Sequence, residues 1–211
     1  MSKENRPTRP NAFWYNASKV LLGSSTATLV SFICAPILTR LFEPEAYGAA
    51  AIFAAIVGFV SPILMLRYEQ AIVPAGGKAE RENVFSLSFL LLMVNSLIVA
   101  GILYALNSSS ISQTELKHIF EYAWALPFGI FIAGAFIILN VWMVRHDRFS
   151  IIGLVSLISG LTTTIASVGL GVFGHTSGGS LIFSAIFGQL LGVVTFVFVV
   201  FSRDIQSAWR T

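Results

Sequence analysis

Charge is what this sequence has least of. Only 11% of its 211 residues are Asp, Glu, Lys or Arg, against about 25% in an ordinary soluble domain. A soluble globular fold is thereby excluded. Hydrophobic residues make up 55% of the chain, and the mean hydropathy is +0.80. One cysteine, Cys34, rules out an intrachain disulfide and a cysteine-based metal site. Three scattered histidines, His118, His146 and His175, have no metal-ligand spacing and read as loop residues. No basic run is long enough for a nucleic-acid footprint. There is no phosphate-binding glycine loop, no nucleophile elbow and no metal-spaced histidine pair. The expectation is an all-α integral membrane protein with no catalytic residue, no metal and no cofactor, and not an enzyme.

What is present is a series of long apolar runs. Six segments have the length and content to span a bilayer: about 19–39, 46–74, 84–106, 119–144, 151–173 and 180–201. Residues 1–18 form a polar, proline-punctuated tail in which Phe13, Trp14 and Tyr15 suit the headgroup region. Residues 203–211 form a second tail, so 19–202 is one six-helix unit. The apolar run from Val20 to Leu38 is too long for the core of a secretory signal and reads as a retained first helix.

The basic residues orient the bundle. Of 13 Lys and Arg, ten fall on the amino-terminal side: Lys3, Arg6, Arg9, Lys19, Lys78, Arg81, Arg145, Arg148, Arg203 and Arg210. The opposite loops hold Arg40 and Lys117, and Arg67 lies in or at the end of the second helix. The positive-inside rule then predicts that both termini are cytoplasmic.

The stretch from Leu38 to Pro74 organises the chain. Pro44 suits the first turn of a helix, where its missing N–H loses no bond. Glu43 and Glu45 suit the positive end of the same helix dipole. A long apolar run follows, then Arg67-Tyr68-Glu69-Gln70, and then apolar residues resume. The pattern predicts one helix that continues past these charges, bent near Pro62. A helix begun at Pro44 reaches Arg67 after about 35 Å, roughly a bilayer thickness. Arg67 therefore fits either the far interface or a polar cavity at membrane depth. On a continuous helix Arg67, Gln70 and Pro74 share a face, with Glu69 about 200° away from Arg67.

Other polar residues lie at or near membrane depth: Asn95, Asn140, Arg145 and Gln189. Asn140 and Gln189 read as interhelical hydrogen bonds, Trp142 as an interfacial anchor. Prolines 36, 62 and 127 are expected to kink their spans. Small pairs (Ala51/Ala55, Ala54/Gly58, Gly188/Gly192) permit close packing within the chain. Hydroxyl runs in helices 1 and 5 read first as side chains bonded to their own backbone.

The motif TRLFEPEAYG, a long span and LRYEQAIV together resemble the amino-terminal part of bacterial polysaccharide and O-antigen flippases. These form the polysaccharide-transport branch of the multidrug/oligosaccharidyl-lipid/polysaccharide exporter superfamily. The residues that carry the resemblance are Arg40, Glu43, Pro44, Glu45 and Gly48, then Arg67, Tyr68 and Glu69, and later Asn140, Trp142, Arg145 and Phe149. The resemblance implies one six-helix lobe of a two-lobed exporter-type fold in a bacterial inner membrane. It implies flipping of a polyprenyl-pyrophosphate-linked oligosaccharide, with Arg67, Glu69, Gln70, Arg40, Asn140 and Arg145 as candidate substrate-contacting residues.

Family members are about twice this length, so a second six-helix lobe or another copy of this chain is an implied partner. Membrane lipids and the polysaccharide polymerase and ligase machinery are others, and nucleic acid is not. Two alternatives stay open: a drug/cation antiporter lobe of the same superfamily, and a non-transporting assembly subunit or truncation product.

Overall fold

The fold follows from which helices can bury a face against which. A computed structural model describes residues 10–74, 76–108 and 122–208. Its six long helices are α1 (Pro10–Leu41), α2 (Pro44–Leu64), α3 (Lys78–Ser108), α4 (Leu126–Arg145), α5 (Phe149–Val172) and α6 (Gly178–Ala208). Each contains a segment long and apolar enough to cross a membrane. Among the described residues there is no strand.

α4 is the centre. Half of its span is buried, the largest share of any helix, and it packs against α2, α3, α5 and α6. Its sequence is apolar on every side, as a surrounded helix requires. The peripheral helix is α1, which packs on α5 rather than on α2, its neighbour in sequence. Small residues draw that pair together. Gly23 lies so close to Gly153 that a Cβ would collide with the Gly153 backbone. One turn further along α1, Ala27 fills the space beside Gly160, and one turn beyond that Ser31 bonds Thr164 across the seam at 2.8 Å.

Several helices begin or end away from the expected points. α3 starts at Lys78 rather than near Val84, because the charged residues 78–83 are good helix formers. Glu80 also accepts hydrogen bonds from the Gly76 and Gly77 N–H groups, at 3.0 and 3.4 Å, which caps that end. α1 begins at Pro10, inside the expected tail, and α6 runs on to Ala208. The side chains of Phe13, Trp14 and Tyr15 lie outside the described residues, as do His118 and the loop around Lys117. Pro127 belongs to the first turn of α4 rather than its interior, so it kinks nothing.

The largest departure is in the second span. α2 ends at Leu64, and residues Tyr68–Ile72 form a separate 3₁₀ helix. The expected single helix to Pro74 is not formed. The turn lets Met65 and Ile72, both fully buried, join one apolar cluster with Leu92, Ala135 and Ile138. A straight helix would carry Ile72 about 10 Å beyond Met65 along its axis.

Candidate functional site

The break after α2 is built from identifiable parts. The Leu66 N–H donates to the Ile63 carbonyl at 2.9 Å and the Arg67 N–H to the Pro62 carbonyl at 3.3 Å. That pair of bonds is the Schellman closure of a helix C-terminus. α4 and α5 close the same way, through Asp147 and Arg148 and through Gly174 and His175. The left-handed residue is Asp147 (φ 54°) in one and Gly174 (φ 84°) in the other, both of which suit that conformation. At the end of α2 it is Leu66 (φ 51°), and Arg67 (φ 58°) follows in the same region. Two consecutive left-handed residues, neither of them glycine, cost about 1–3 kcal/mol each.

A contact from α3 holds the break and locates it. Asn95 donates its side-chain amide to the Leu64 carbonyl at 2.6 Å, satisfying an acceptor that a continuing helix would have bonded to the Tyr68 N–H. Asn95 is near the middle of the span Ala79–Ala105 of α3. It is about 24 Å from one end and about 15 Å from the other. α2 therefore stops level with the middle of an apolar span, and Arg67 follows three residues later. The estimate of about 35 Å assumed an unbroken helix, but α2 as formed is 21 residues long and itself enough to cross a membrane. Arg67 therefore still fits either the far interface or a polar cavity. Within the hydrocarbon, non-helical backbone is tolerated only where it is buried in protein or lines a water-filled space.

The six candidate residues separate. Arg67 and Gln70 are exposed, whereas Glu69 is buried to 2% exposure. Its Oε2 has no hydrogen-bond partner, and among the described residues no ion pair reaches it. The turn that carries it packs between α3 and α4. Asn140 and Arg145 are half-buried on α4, running toward its C-terminal end, where a cation suits the dipole. Arg40 is exposed at the far end of α1, on the other side of the bundle. Arg67, Glu69 and Gln70 thus form one group and Arg40 lies apart from it.

The expected interhelical bonds form at other residues. Among the described residues neither Asn140 nor Gln189 hydrogen-bonds a neighbouring helix. That work falls to Asn95, to Ser96, which donates to the Pro127 carbonyl at 2.9 Å, and to fully buried Ser61. The Ser61 hydroxyl lies 2.6 Å from the Val57 carbonyl and 3.3 Å from that of Ile130 on α4. Trp142 packs on Phe85 of α3 and on His146, with ring centres 4.8 and 4.7 Å away.

A cavity of about 420 Å³ opens at the other end of α2. Its polar lining includes Glu43, Glu45, Tyr122, Thr176 and Ser177. The sequence puts the two glutamates at a helix start and carries no signal that the α5–α6 turn meets them there.

One face of α2 also remains open. Gly48, Ala51, Ala55 and Gly58 recur at three- and four-residue intervals, and all four are exposed. A Cβ added at Gly48 or Gly58 would meet nothing within 4 Å. The Ala51/Ala55 and Ala54/Gly58 pairs therefore do not pack within this chain. Gly188 and Gly192 do, against α5 and against Phe136 of α4.

Residues 37–210 match the family described as polysaccharide biosynthesis protein. The chain belongs to that family. No curated protein and no solved structure matches it. All six candidate residues lie inside the matched segment, as do α2 to α6 and the last turn of α1. The chain is thus a multi-pass membrane protein, and among the described residues no three His, Cys, Asp or Glu side chains group so as to hold a metal ion.

Proposed function

We propose that this chain is the amino-terminal lobe of a flippase that moves a polyprenyl-pyrophosphate-linked oligosaccharide across a bacterial inner membrane, with both termini in the cytoplasm. One observation carries the reading: Arg67 is exposed, on non-helical backbone, three residues after α2 ends beside Asn95 within the α3 span. A guanidinium facing hydrocarbon is strongly disfavoured, and in this reading the residue lies beside a polar cavity. A diphosphate headgroup is a fitting occupant, since arginine binds phosphate oxygens through paired, charge-assisted hydrogen bonds. The lipid tail stays outside in the bilayer while the headgroup crosses. The open face of α2, whose small residues allow another helix to approach closely, supports a second lobe completing the cavity wall. Rocking of two such lobes gives alternating access.

The test is complementation of a strain lacking its own O-antigen flippase, by residues 1–211 alone and by residues 1–211 joined to a second lobe. Each is compared with Arg67→Ala and Arg67→Lys. Surface polysaccharide restored by the wild type and lost in Arg67→Ala at equal membrane expression is the expected result, with Arg67→Lys in between because lysine lacks the planar fork. Full activity of Arg67→Ala rejects the proposed role of the guanidinium.

A further inference from the structure

We propose that Met65–Ile72 is a two-state hinge. The broken form seen here exchanges with one in which α2 runs unbroken to Ile72, and Asn95 latches the broken form.

Local sequence opposes the break. From Ile63 to Ile72 the chain reads ILMLRYEQAI, with no glycine, asparagine, aspartate or proline. Most of these residues are good helix formers. Leu66 and Arg67 nevertheless adopt left-handed backbone, which no other two consecutive residues do among those described. The break also buries a carboxylate oxygen of Glu69 without a partner. On a straight helix Glu69 lies about 7.5 Å past Leu64 along the axis, clear of its present position between α3 and α4.

Tertiary contacts favour the break. Met65 and Ile72 are fully buried in it. Several of its hydrogen bonds are exchanged. The Leu64 carbonyl takes the Asn95 amide in place of the Tyr68 N–H, and the Tyr68 N–H goes to the Met65 carbonyl at 3.0 Å. The Arg67 N–H moves between the Pro62 and Ile63 carbonyls. The balance rests on local strain and Glu69 against the Met65–Ile72 packing and Asn95.

The connection to α3 permits the straight form. Ile72 would then lie about 12 Å below the level of Asn95 and Lys78 about 25 Å below it. The intervening five residues span that gap without full extension. Extending α2 moves Arg67 and Gln70 together with Glu69, so the surroundings of the exposed cation and of the buried carboxylate change in one step. The hinge stands whether or not the chain transports lipid-linked sugar.

The test is a spin-label distance distribution in lipid bilayers. The full chain carries Cys34→Ser, with labels at two exposed positions, Gln70→Cys on the turn and Leu97→Cys on α3. Two distances are expected in this background. Asn95→Leu, which removes the latch at similar volume, should raise the weight of the second distance about three- to tenfold. Leu66→Gly, which favours left-handed backbone, should remove it. A single distance that neither substitution redistributes overturns the hinge. Should Asn95→Leu fail to reach the membrane, Leu66→Gly decides alone: loss of the second distance supports the hinge, and an unchanged distribution overturns it.

Discussion

Ser31 and Thr164 share a hydrogen bond of 2.8 Å across the seam between α1 and α5. One of the two hydroxyls donates across the seam, and the other, which accepts there, donates to its own helix, Ser31 to the Ala27 carbonyl or Thr164 to the Gly160 carbonyl, both at 3.0 Å. The hydroxyl runs of these helices therefore serve both purposes at the point where the helices touch. Elsewhere on α1, Thr26 and Thr28 are exposed and bond only to their own backbone.

That seam is held by close approach more than by its hydrogen bond. Ser31→Ala should lower stability by about 0.6 kcal/mol, the average for such a bond in a bilayer. Gly23→Leu has no room beside Gly153 and should detach α1 from α5. Thermal unfolding in detergent should show a small shift for the first, and crosslinking between α1 and α5 should be lost for the second.

The open face of α2 makes the opposite prediction. Gly48→Ala and Gly58→Ala meet no neighbour in this chain and replace a poor helix former. Each should leave the lobe as stable or more stable by about 0.5–1 kcal/mol. If a second lobe packs there, the same substitutions should reduce complementation without reducing the amount of protein in the membrane. Unchanged complementation by both would argue against packing on this face.

The three Schellman ends rank by the residue at the left-handed position. Gly174→Ala should destabilise by about 1 kcal/mol and Leu66→Gly should stabilise by a similar amount. Asp147→Gly should change little, because aspartate tolerates that region. Chemical denaturation of the three variants tests the order. A destabilised Leu66→Gly would mean that the Leu66 side chain contributes more than its backbone strain takes away.

At the start of α3 the Glu80 carboxylate reaches back to two backbone N–H groups. Glu80→Ala should cost about 0.5–1 kcal/mol, with Glu80→Gln retaining most of it because an amide oxygen still accepts. Hydrogen exchange at Gly76, Gly77 and Ala79 should quicken in the alanine variant and much less in the glutamine variant.

Arg67 and the 3₁₀ turn mark the boundary between what could be read in the chain and what could not. Six apolar runs announce six membrane helices, because bilayer thickness sets a length that needs no knowledge of neighbours. The same runs place Pro44 at a helix start and Arg67 among the polar residues that need an explanation. Residue order alone also favours an unbroken second helix, since every residue after Pro62 up to Ile72 tolerates one. The break exists because Asn95, thirty-one positions away, takes the Leu64 carbonyl, and because Met65 and Ile72 both find places beside Leu92, Ala135 and Ile138. Those contacts also decide that Glu69 is buried while Arg67 and Gln70 are exposed. Length and hydropathy are local sums and survive in the bare chain. Depth, burial and the choice of hydrogen-bond partner are properties of pairs distant in sequence, and packing alone brings such pairs together.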